Sequence, residues 1–411
     1  MPFRIGLSGL NAASADLRVT GHNIANSATT GFKNSRAEFA DVYAFTRGGV
    51  SKRAIGSGVK LQAVTQQFSQ GNIEFTQNGL DLAVSGDGFF ILNDRGNRVY
   101  TRAGAFQVDR EGFIVNSENQ RLQGFSPITP DTRNPRFNTG QLNDIRLQQG
   151  EGPPRATSAI EALVNLRSDA VEPEVAPFDL EDPETYNFST SLTIFDSLGT
   201  PRNLTLFYVK GADPLEWEVN IGIEGELVGT QALTFDENGL LDDPTTPVDF
   251  TFDLAVLDPD NGAAELEFSI DFRGTTQFGS RYSVNDLQQD GFTTGSLSGI
   301  DVDQTGVVFA RFTNGQSQIL GQVALANFTN PQGLQQLGDN NWAEAFAAGE
   351  PRFGQPGSSD LGLIQSAALE ASNVDIAQEL VRLITAQRNF QANAQVISAA
   401  DQVTQTIINI R

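Results

Sequence analysis

The sequence predicts an α+β protein that is mostly β, with a helix at each terminus and two β-rich domains between the helices. Three observations support this fold class. Apolar residues recur at helical spacing at both ends of the chain, short apolar runs punctuated by glycine fill residues 71–360, and one internal segment carries nearly all of the negative charge. Because a single hydrophobic core stops growing at about 250 to 300 residues, a chain of 411 residues requires at least two domains.

The N-terminal helix is predicted from residues spaced alternately by four and three positions, which places them on one stripe of a helix. The pattern stops at the helix breaker Thr29-Thr30-Gly31. We therefore expect a helix that ends before residue 29 and carries the stripe Phe3, Leu7, Leu10, Ser14, Leu17, Gly21 and Ile24.

The C-terminal helix is predicted to be longer than the N-terminal one. Neither glycine nor proline follows Gly362, and Ser372 with Asp375 has the spacing of a variant capping box, so a helix from about Asn373 to Arg411 would span roughly 57 Å. Two apolar rows on one helix require partners on two sides. The alternative is a hairpin of the two terminal helices within one chain, which would cover a single row. The first row is Ile376, Leu380, Leu383, Gln387, Phe390, Ala394, Ile397, Asp401, Thr404 and Ile408, and the second is Val396, Ala400, Val403, Ile407 and Ile410.

Short apolar runs between the helices predict strands that are joined by tight turns. The form Asp-x-x-Gly suits a type I turn that leads into a hairpin. Asn314-Gly315 is a second kind of turn signal, because Asn and Gly tolerate positive φ angles. We therefore predict β-meanders with little helix, and Asp-x-x-Gly turns at 109–112, 196–199, 236–239 and 303–306.

The charge distribution predicts a separate acidic domain. Residues 151–290 contain 6 basic and 28 acidic residues, whereas residues 1–70 contain 8 basic and 3 acidic residues. A block of like charge is typical of a separate, well-solvated domain. The proline-rich residues 126–158 and residues 288–298 are the expected crossings into and out of it. The expected domains are a helical domain at 1–28 and 366–411, a connector at 29–70, a β domain at 71–149 and 291–362, and an inserted acidic β domain at 150–290.

The composition argues against several classes of function. A net charge of -23 argues against nucleic-acid binding, and no run approaches the roughly 20 apolar residues of a membrane span. With no cysteine and one histidine, the chain lacks thiolate chemistry and multi-histidine zinc sites, so we predict no catalytic residue, cofactor or metal. The alternatives are a calcium loop beginning at Asp301, which has Phe312 where the final Glu should stand, and a glycosidase within 151–290.

Three groups of motifs resemble the bacterial flagellar axial proteins of the rod and hook. The N-terminal group is Ser8-Gly9-Leu10-Asn11-Ala12-Ala13, Asn23-Ile24-Ala25-Asn26 and Thr29-Thr30-Gly31-Phe32-Lys33, although His22 stands where the family often has Asn. The first β segment contributes Asn78-Gly79-Leu80-Asp81-Leu82-Ala83 and Tyr100-Thr101-Arg102-Ala103-Gly104-Ala105-Phe106. The C-terminal helix contributes Ser372-Asn373-Val374-Asp375 and Ala386-Gln387-Arg388-Asn389-Phe390-Gln391-Ala392-Asn393. Within these motifs, the individual residues that match the family pattern and are expected to have a family role are Asn23, Asn26, Gly31, Phe32, Ser372, Asn373, Gln387, Arg388 and Asn393.

Within this family, the length and the acidic insertion resemble the hook members, since rod members usually lack so large an insertion. The resemblance implies a structural, non-enzymatic protein with a coiled-coil-like polymerisation domain of terminal helices, an inner β domain and a β-barrel-like outer domain at 150–290. Copies would assemble into a flexible curved tube that links rod to filament and transmits torque. The alternatives are a distal rod protein, a hook-like adhesin and, in another class, a secreted carbohydrate-active enzyme. The residues expected at contacts between copies are Leu7, Leu10, Leu17, Ile24, Leu380, Leu383, Phe390, Ala394, Ile397 and Ile408.

The resemblance also implies partners and a location. The partners are further copies of the chain, a distal rod protein, a hook cap, a hook-filament junction protein, a hook-length control protein and the flagellar type III export apparatus, with no nucleic acid and no membrane insertion. The first residues lack the features of a secretory signal, which alone would indicate a cytoplasmic protein. Family members are exported without a cleaved signal, so an extracellular position in the flagellum is expected. Phe39 and Tyr43 have the spacing of a short export element, and an amphipathic packing pair is the alternative.

Overall fold

A computed structural model describes residues 2–42, 56–128, 135–147, 150, 152–258 and 262–409 of the chain. Within them a helix lies at each end and strands lie between, so the predicted mostly β class with terminal helices is confirmed. The helices are α1 (Pro2–Ala25) and α2 (Ile376–Asn409), and short 3-10 helices lie at Pro183–Thr185, Leu254–Val256, Pro331–Gly333 and Phe346–Ala348. The strands are β1 (Ser35–Asp41), β2 (Val59–Gln66), β3 (Ile73–Phe75), β4 (Leu82–Ser85), β5 (Phe89–Asp94), β6 (Asn97–Thr101), β7 (Gln107–Val108), β8 (Ile114–Val115), β9 (Arg121–Pro127), β10 (Phe137–Asp144), β11 (Ala159–Arg167), β12 (Phe188–Phe195), β13 (Pro201–Lys210), β14 (Glu216–Ile223), β15 (Glu226–Phe235), β16 (Leu241–Asp243), β17 (Val248–Phe252), β18 (Leu266–Asp271), β19 (Thr276–Phe278), β20 (Ser283–Gln289), β21 (Leu297–Val302), β22 (Val307–Phe312), β23 (Ser317–Val323), β24 (Leu325–Asn327), β25 (Gln335–Gly338), β26 (Asn341–Ala343), β27 (Arg352–Gly354), β28 (Leu363–Ser366) and β29 (Ala368–Glu370).

The chain divides into two compact units, and unit 1 comprises residues 1–149, 299–311 and 317–411. Its main sheet has the strand order β21-β22-β23-β9-β5-β6-β26-β25. Phe90 and Leu92 of β5 belong to one apolar core, and Phe89 and Ile91 of the same strand belong to another. Because successive strand residues point to opposite faces, the unbroken apolar run of β5 allows this strand to be buried on both sides.

Two small pairings in unit 1 join early and late parts of the chain. Strand β28 pairs with β4, and strand β29 pairs with β3 in antiparallel register, with Glu370 opposite Ile73. Strands β1 and β2 form an antiparallel hairpin in which Phe39 lies opposite Leu61. The segment just before α2 is therefore part of a sheet with residues that follow the β1–β2 hairpin.

Unit 2 comprises residues 150–298 and 312–316, and it contains two sheets that share one apolar core. One sheet is the antiparallel meander β12-β13-β14-β15-β16, and the other has the order β17-β18-β11-β19 with β20 also paired to β11. Alternation is clear in β18, where Leu266, Phe268 and Ile270 are at most 3% exposed while Glu267 faces solvent and Ser269 and Asp271 are half-buried. The period of two predicted for half-buried strands is present here.

The Asp-x-x-Gly turns form as predicted. In each of them the Asp side chain accepts the backbone N–H groups of the residues two and four positions later, and the Gly adopts a positive φ of 78° to 87°. The hairpin of β22 and β23 at Asn314-Gly315 also forms. The positive φ expected at Asn314 is wrong, because Gly315 alone takes the left-handed conformation while its N–H donates to the Phe312 carbonyl at 3.1 Å.

The start of α2 differs from the predicted capping box. The Asp375 carboxylate accepts the Gln378 N–H at 3.1 Å, and the Asp375 carbonyl accepts the Glu379 N–H at 2.9 Å, so Asp375 is the N-cap. The Ser372 hydroxyl instead accepts the N–H of Val374 at 3.3 Å. The prediction that the helix begins near Asn373 is wrong by about one turn, because Asn373 is held outside the helix by contacts described below.

Candidate subunit interface

The terminal helices α1 and α2 pair with each other in an antiparallel arrangement. A Cβ atom built on Gly6 would lie 3.0 Å from the Ile397 side chain, and one built on Gly9 would lie 2.2 Å from the Asn393 side chain. Further along, the Arg382 guanidinium acts on the Asp16 carboxyl and opposes the burial that raises the pKa of Asp16. The hairpin of terminal helices considered as an alternative is therefore present within one chain.

Small residues form this helix contact. Gly6 and Ala13 on α1 are buried, and Ala386 on α2 is fully buried. Small side chains let two helix backbones approach closely, so the pair gains contact area without large apolar groups. The sequence interpretation missed this contact because it followed the large apolar residues. The signal was the spacing of Gly6, Gly9 and Ala13, which repeats at three and four on the neighbouring face.

The residues predicted at contacts between copies are only partly covered within the chain. On α1, Leu7 is 44% exposed, and Leu10, Leu17 and Ile24 are half-buried. On α2, the structure leaves Leu380 and Ile408 exposed at 46% and 67%, while the four others, Leu383, Phe390, Ala394 and Ile397, are half-buried.

Further apolar side chains on both helices also face solvent. On α1 these are Phe3 at 52% and Ile5 at 37%. On α2, residues 401–406 and 408 are all exposed. Large apolar side chains clustered on an exposed face are typical of a protein contact site. Those on α2 beyond the predicted set are Ile376, Val381, Ile384, Val396 and Val403, at 46% to 64% exposure.

The predicted motif residues of the N-terminal region secure the end of α1. The Asn23 amide donates to the Ser35 carbonyl at 2.8 Å, and its oxygen accepts the Ser35 N–H at 2.9 Å. The Asn26 amide donates to the His22 carbonyl at 2.9 Å, one turn earlier. Asn23 thus joins the last turn of α1 to the first residue of β1, and both asparagines have a positional role.

Gly31, Phe32 and Asn373 form a second cluster of motif residues. Gly31 has a φ of +69°, and a Cβ there would lie 2.6 Å from the Ala103 nitrogen, so a side chain would be strained and would clash. Phe32 is buried and meets the His22 ring edge-on at 5.6 Å. The Asn373 oxygen accepts the Asn34 N–H at 2.7 Å.

A buried ion triad lies beside this cluster, and the sequence did not predict it. The Lys33 ammonium lies 2.6 Å from Glu370 Oε1, and Arg102 lies 3.3 Å from Oε2. The Lys33 and Glu370 side chains are 0% exposed, and that of Arg102 is 4% exposed. Burial lowers the pKa of both Lys33 and Arg102, and the Glu370 carboxylate opposes that shift. Lys33 ends the motif Thr29-Thr30-Gly31-Phe32-Lys33, but its partners Arg102 and Glu370 are too distant in sequence to be inferred.

The remaining predicted residues lie apart from these clusters. Gln387 and Arg388 are exposed on α2. The Asn393 amide donates to the Asn389 carbonyl at 2.8 Å, and the Asn393 side chain lies against Gly9 of α1. Phe39 on β1 is 40% exposed, and Tyr43 lies outside the described residues.

The structure bears on the calcium loop considered as an alternative and on the expected lack of membrane insertion. The Asp303 carboxylate accepts the N–H groups of Thr305 and Val307 at 2.8 and 2.9 Å, and Asp301 pairs with Arg311, so both carboxylates of the calcium-like loop serve the hairpin. Among the described residues, no group of three or more His, Cys, Asp or Glu side chains could hold a metal ion. The same part of the chain contains no helix that is long and apolar enough to cross a membrane.

Models of flagellar protein families match the chain in the order of its elements. Residues 3–33 match the flagella basal body rod protein family, and residues 365–410 match the flagellar basal body rod FlgEFG protein C-terminal family. Residues 83–151 match the flagellar hook protein FlgE/F/G D1 domain, and residues 165–292 match the flagellar basal body protein FlaE D2 domain. The terminal helices and the two β-rich units are therefore those of a structural protein of the flagellar hook and rod class.

Similarity over the full length narrows this class. The chain is 36% identical over 433 residues to flagellar hook protein FlgE of Salmonella typhimurium and 35% identical over 431 residues to that of Escherichia coli, with 100% of each chain covered. It is 32% identical to flagellar hook protein FlgE of Borreliella burgdorferi, covering 99% of this chain and 98% of the relative. The chain belongs to the flagellar hook protein family.

A solved structure supports the fold. The crystal structure of Helicobacter pylori flagellar hook protein FlgE2 covers 72% of this chain and 100% of its own, with a TM-score of 0.54. At 14% sequence identity this similarity concerns the fold alone.

Proposed function

We propose that this chain is a non-enzymatic structural subunit of the bacterial flagellar hook, which assembles with copies of itself into a flexible curved tube between the basal-body rod and the filament and transmits motor torque. The observation that carries the proposal is the set of apolar side chains left uncovered on α1 and α2 after the two helices have paired. Full-length similarity to flagellar hook proteins supports it.

The helix pair needs neighbours in such an assembly. Helix α2 has 34 residues and α1 has 24, so α2 is longer by roughly 15 Å at 1.5 Å per residue. Exposed Val403 and Ile408 lie in the last two turns or so of α2. Because a head-to-tail contact between different faces of one protein does not close on itself, burial of these residues by a neighbour would propagate a helical tube. In that tube the helix pairs would form the coiled-coil-like polymerisation domain, with the contacts predicted for Leu380, Leu383 and Ile397.

We also propose which residues form each domain of the subunit. Residues 71–149 and 291–362 would be the inner β domain, residues 29–70 the connector, and residues 150–290 the outer domain. The bridge between Leu240 and Thr276, which joins the two sheets of unit 2, is compatible with a barrel-like outer domain. The excess of acidic residues in 151–290 favours an outward, solvated position for that domain.

The partners and the location follow from the proposed assembly. The chain would meet a distal rod protein at one end of the tube and a hook-filament junction protein at the other, with a hook cap and a hook-length control protein acting during growth. It would reach this extracellular position through the flagellar type III export apparatus without a cleaved signal, and Phe39 with Tyr43 would be the export element. The second candidate, a distal rod protein, is favoured by the rod families that match both termini.

Electron microscopy of detached flagella tests the proposal and separates the two candidates. Antibody against residues 151–290 should label a short curved segment between rod and filament. Label on the basal body alone would favour the rod candidate, and unlabelled flagella would contradict both. As a functional control, the chain expressed in a strain without a hook should restore filaments and motility.

A further inference from the structure

We propose that Asn78 is a site of spontaneous deamidation, at which the folded chain converts an asparagine into aspartate or isoaspartate without an enzyme. In an Asn-Gly dipeptide this reaction meets little hindrance, because glycine has no side chain to obstruct the approach of its own backbone nitrogen. The dipeptide occurs at 78–79, 238–239, 261–262 and 314–315, and Asn261 lies outside the described residues. The inference concerns the chemistry of the single chain and does not rest on the proposed function.

The reaction uses the backbone of the residue that follows the asparagine. The Gly79 nitrogen loses its proton to solvent base and attacks Cγ of Asn78, while the side-chain amide takes up a proton and leaves as ammonia. The resulting succinimide ring is opened by one water molecule on either side, which gives aspartate or isoaspartate. The glycine nitrogen must give up its proton and approach Cγ, so a hydrogen bond donated by its N–H slows the first step.

The Gly79 nitrogen is free to react. Its N–H donates no hydrogen bond among the described residues, and Gly79 is half-buried. The Asn78 side chain is held beside it, because the Asn78 Oδ1 accepts the Leu80 N–H at 3.2 Å. In such a turn the asparagine side chain is folded back over the peptide unit that follows it, so Cγ stays close to the nitrogen that attacks it.

The site at Asn238 has the same Asn-Gly-Leu sequence, but its glycine nitrogen is engaged. The Asn238 amide donates to an Asp carboxylate at 3.0 Å, as the Asn78 amide does to Asp81 at 3.0 Å. The Gly239 N–H, however, donates to the Asp236 carbonyl at 3.0 Å, and Gly239 is buried. The two sites therefore match in sequence and in side-chain contact, and they differ in the nitrogen that must react.

The site at Asn314 is also protected. Its side chain forms the same kind of turn as Asn78, since Oδ1 accepts the N–H two residues later at 3.0 Å. Here the Gly315 N–H donates to the Phe312 carbonyl at 3.1 Å, and the Asn314 amide donates to the Thr293 carbonyl at 2.7 Å. Both bonds must break before the ring can close. Asn78 is thus the Asn-Gly site that the described part of the fold leaves open to reaction.

Conversion of Asn78 would weaken the turn that it forms. The new carboxylate would face the Asp81 carboxylate, which now accepts the Asn78 amide, and two like charges at that distance repel each other. Isoaspartate would also lengthen the main chain beside Gly79, where even a Cβ atom would lie 3.0 Å from the Ile300 carbonyl oxygen. Because no enzyme is needed, the converted fraction would rise with the age of the chain.

Peptide mapping of the full chain by mass spectrometry, after incubation in mildly alkaline buffer, tests the site. Incubation in water enriched in heavy oxygen labels each conversion, which separates it from conversion during a later digestion in ordinary water. Asn78 should convert on the order of tenfold faster than Asn238, because the Asn238 site must first lose a hydrogen bond of the attacking nitrogen. Equal rates at these two sites, or faster conversion at Asn314, would overturn the proposal.

The denatured chain is the control for sequence. In concentrated urea Asn78 and Asn238 should convert at the same rate, because their neighbours in sequence match and the turns are absent. A faster reaction at Asn78 that persisted in urea would assign the effect to sequence and overturn the structural argument.

Asn78→Asp reproduces one product and should lower the unfolding temperature of unit 1 by about 3 °C, since the turn would hold two adjacent carboxylates. The fluorescence of Trp342, the tryptophan of unit 1, measures this unfolding. Gln77→Glu adds the same charge at the exposed neighbouring residue and should change the temperature less. Equal shifts in the two variants would contradict the proposed weakening of the turn.

Discussion

A methyl group on Gly9 would lie 2.2 Å from Oδ1 of Asn393, so these two residues meet directly where α1 crosses α2. The Asn393 amide donates to the Asn389 carbonyl at 2.8 Å, which holds the asparagine side chain in place. The missing side chain at position 9 therefore sets the closest approach of the two helices.

Gly9→Leu should force the helices apart, because the new side chain cannot share space with Asn393. Since the chain has no cysteine, spin labels at Arg18→Cys and Gln378→Cys would report the separation by pulsed electron resonance. The mean distance should increase by about 2 Å or more, since helix separation depends on side-chain size at the contact. Gly21→Ala is the matched control: nothing lies within 4 Å of its Cβ position, so the distance should not change. The idea fails if both variants give the distance of the unsubstituted chain.

Val403→Asp should block polymerisation while leaving both β-rich units folded. Val403 is 60% exposed, so the chain alone tolerates a charge there, whereas a subunit interface would have to bury it unpaired. Pelleting and electron microscopy of purified protein would measure assembly. Gln402→Asp adds the same charge one residue away on an exposed polar position and should assemble more readily. Equal assembly by the two variants would remove Val403 from the interface.

Asp196→Ala should destabilise unit 2 by about 2 kcal/mol, since a fully buried carboxylate would no longer accept two backbone N–H groups. Asp196 accepts the N–H groups of Leu198 and Thr200 at 2.9 and 2.8 Å, and its side chain is 0% exposed. Thermal unfolding followed by the fluorescence of Trp217, the tryptophan of unit 2, is the measurement. Asp236→Ala removes the equivalent carboxylate from another turn of the same type, where the Asp is more exposed, and should cost less. A larger loss in Asp236→Ala would contradict this account.

Salt should stabilise unit 2 more than unit 1. Unit 2 contains 6 basic and 28 acidic residues, whereas unit 1 contains 21 and 22. Raising the ionic strength from about 0.01 to 0.15 M shortens the screening length from about 30 to 8 Å and weakens repulsion between the carboxylates. The unfolding temperature of unit 2 should therefore rise across this range. A fall, or an equal rise in unit 1, would show that self-repulsion is not what limits unit 2.

The local features of the fold were predictable from the sequence. Turns such as Asp109 to Gly112 form because an Asp side chain caps backbone N–H groups within four residues and a Gly takes positive φ. The terminal helices were predictable from their apolar periodicity. The start of α2 was misplaced because Ser372 and Asp375 are both good caps, and the choice depended on where Asn373 was held.

The candidate site was only partly predictable. Leu7, Leu380 and Ile408 were identified by spacing, and the structure leaves them exposed. The face of α1 that meets α2 was missed, because Gly6 and Gly9 have no side chains to produce an apolar pattern. A close helix contact depends on positions that lack a side chain, whereas a search for apolar periodicity detects only positions that carry a large apolar side chain.

By itself the sequence determined the elements: two terminal helices, the turns, the strands with their alternation and an acidic segment, since each of these depends on neighbours within a few residues. Only the tertiary structure decided that Lys33 lies on Glu370, 337 residues away, and that Gly9 faces Asn393. Such pairs depend on which surfaces meet after the whole chain has packed. The physical reason is that a buried charge or a close helix crossing is stable only when its distant partner is present.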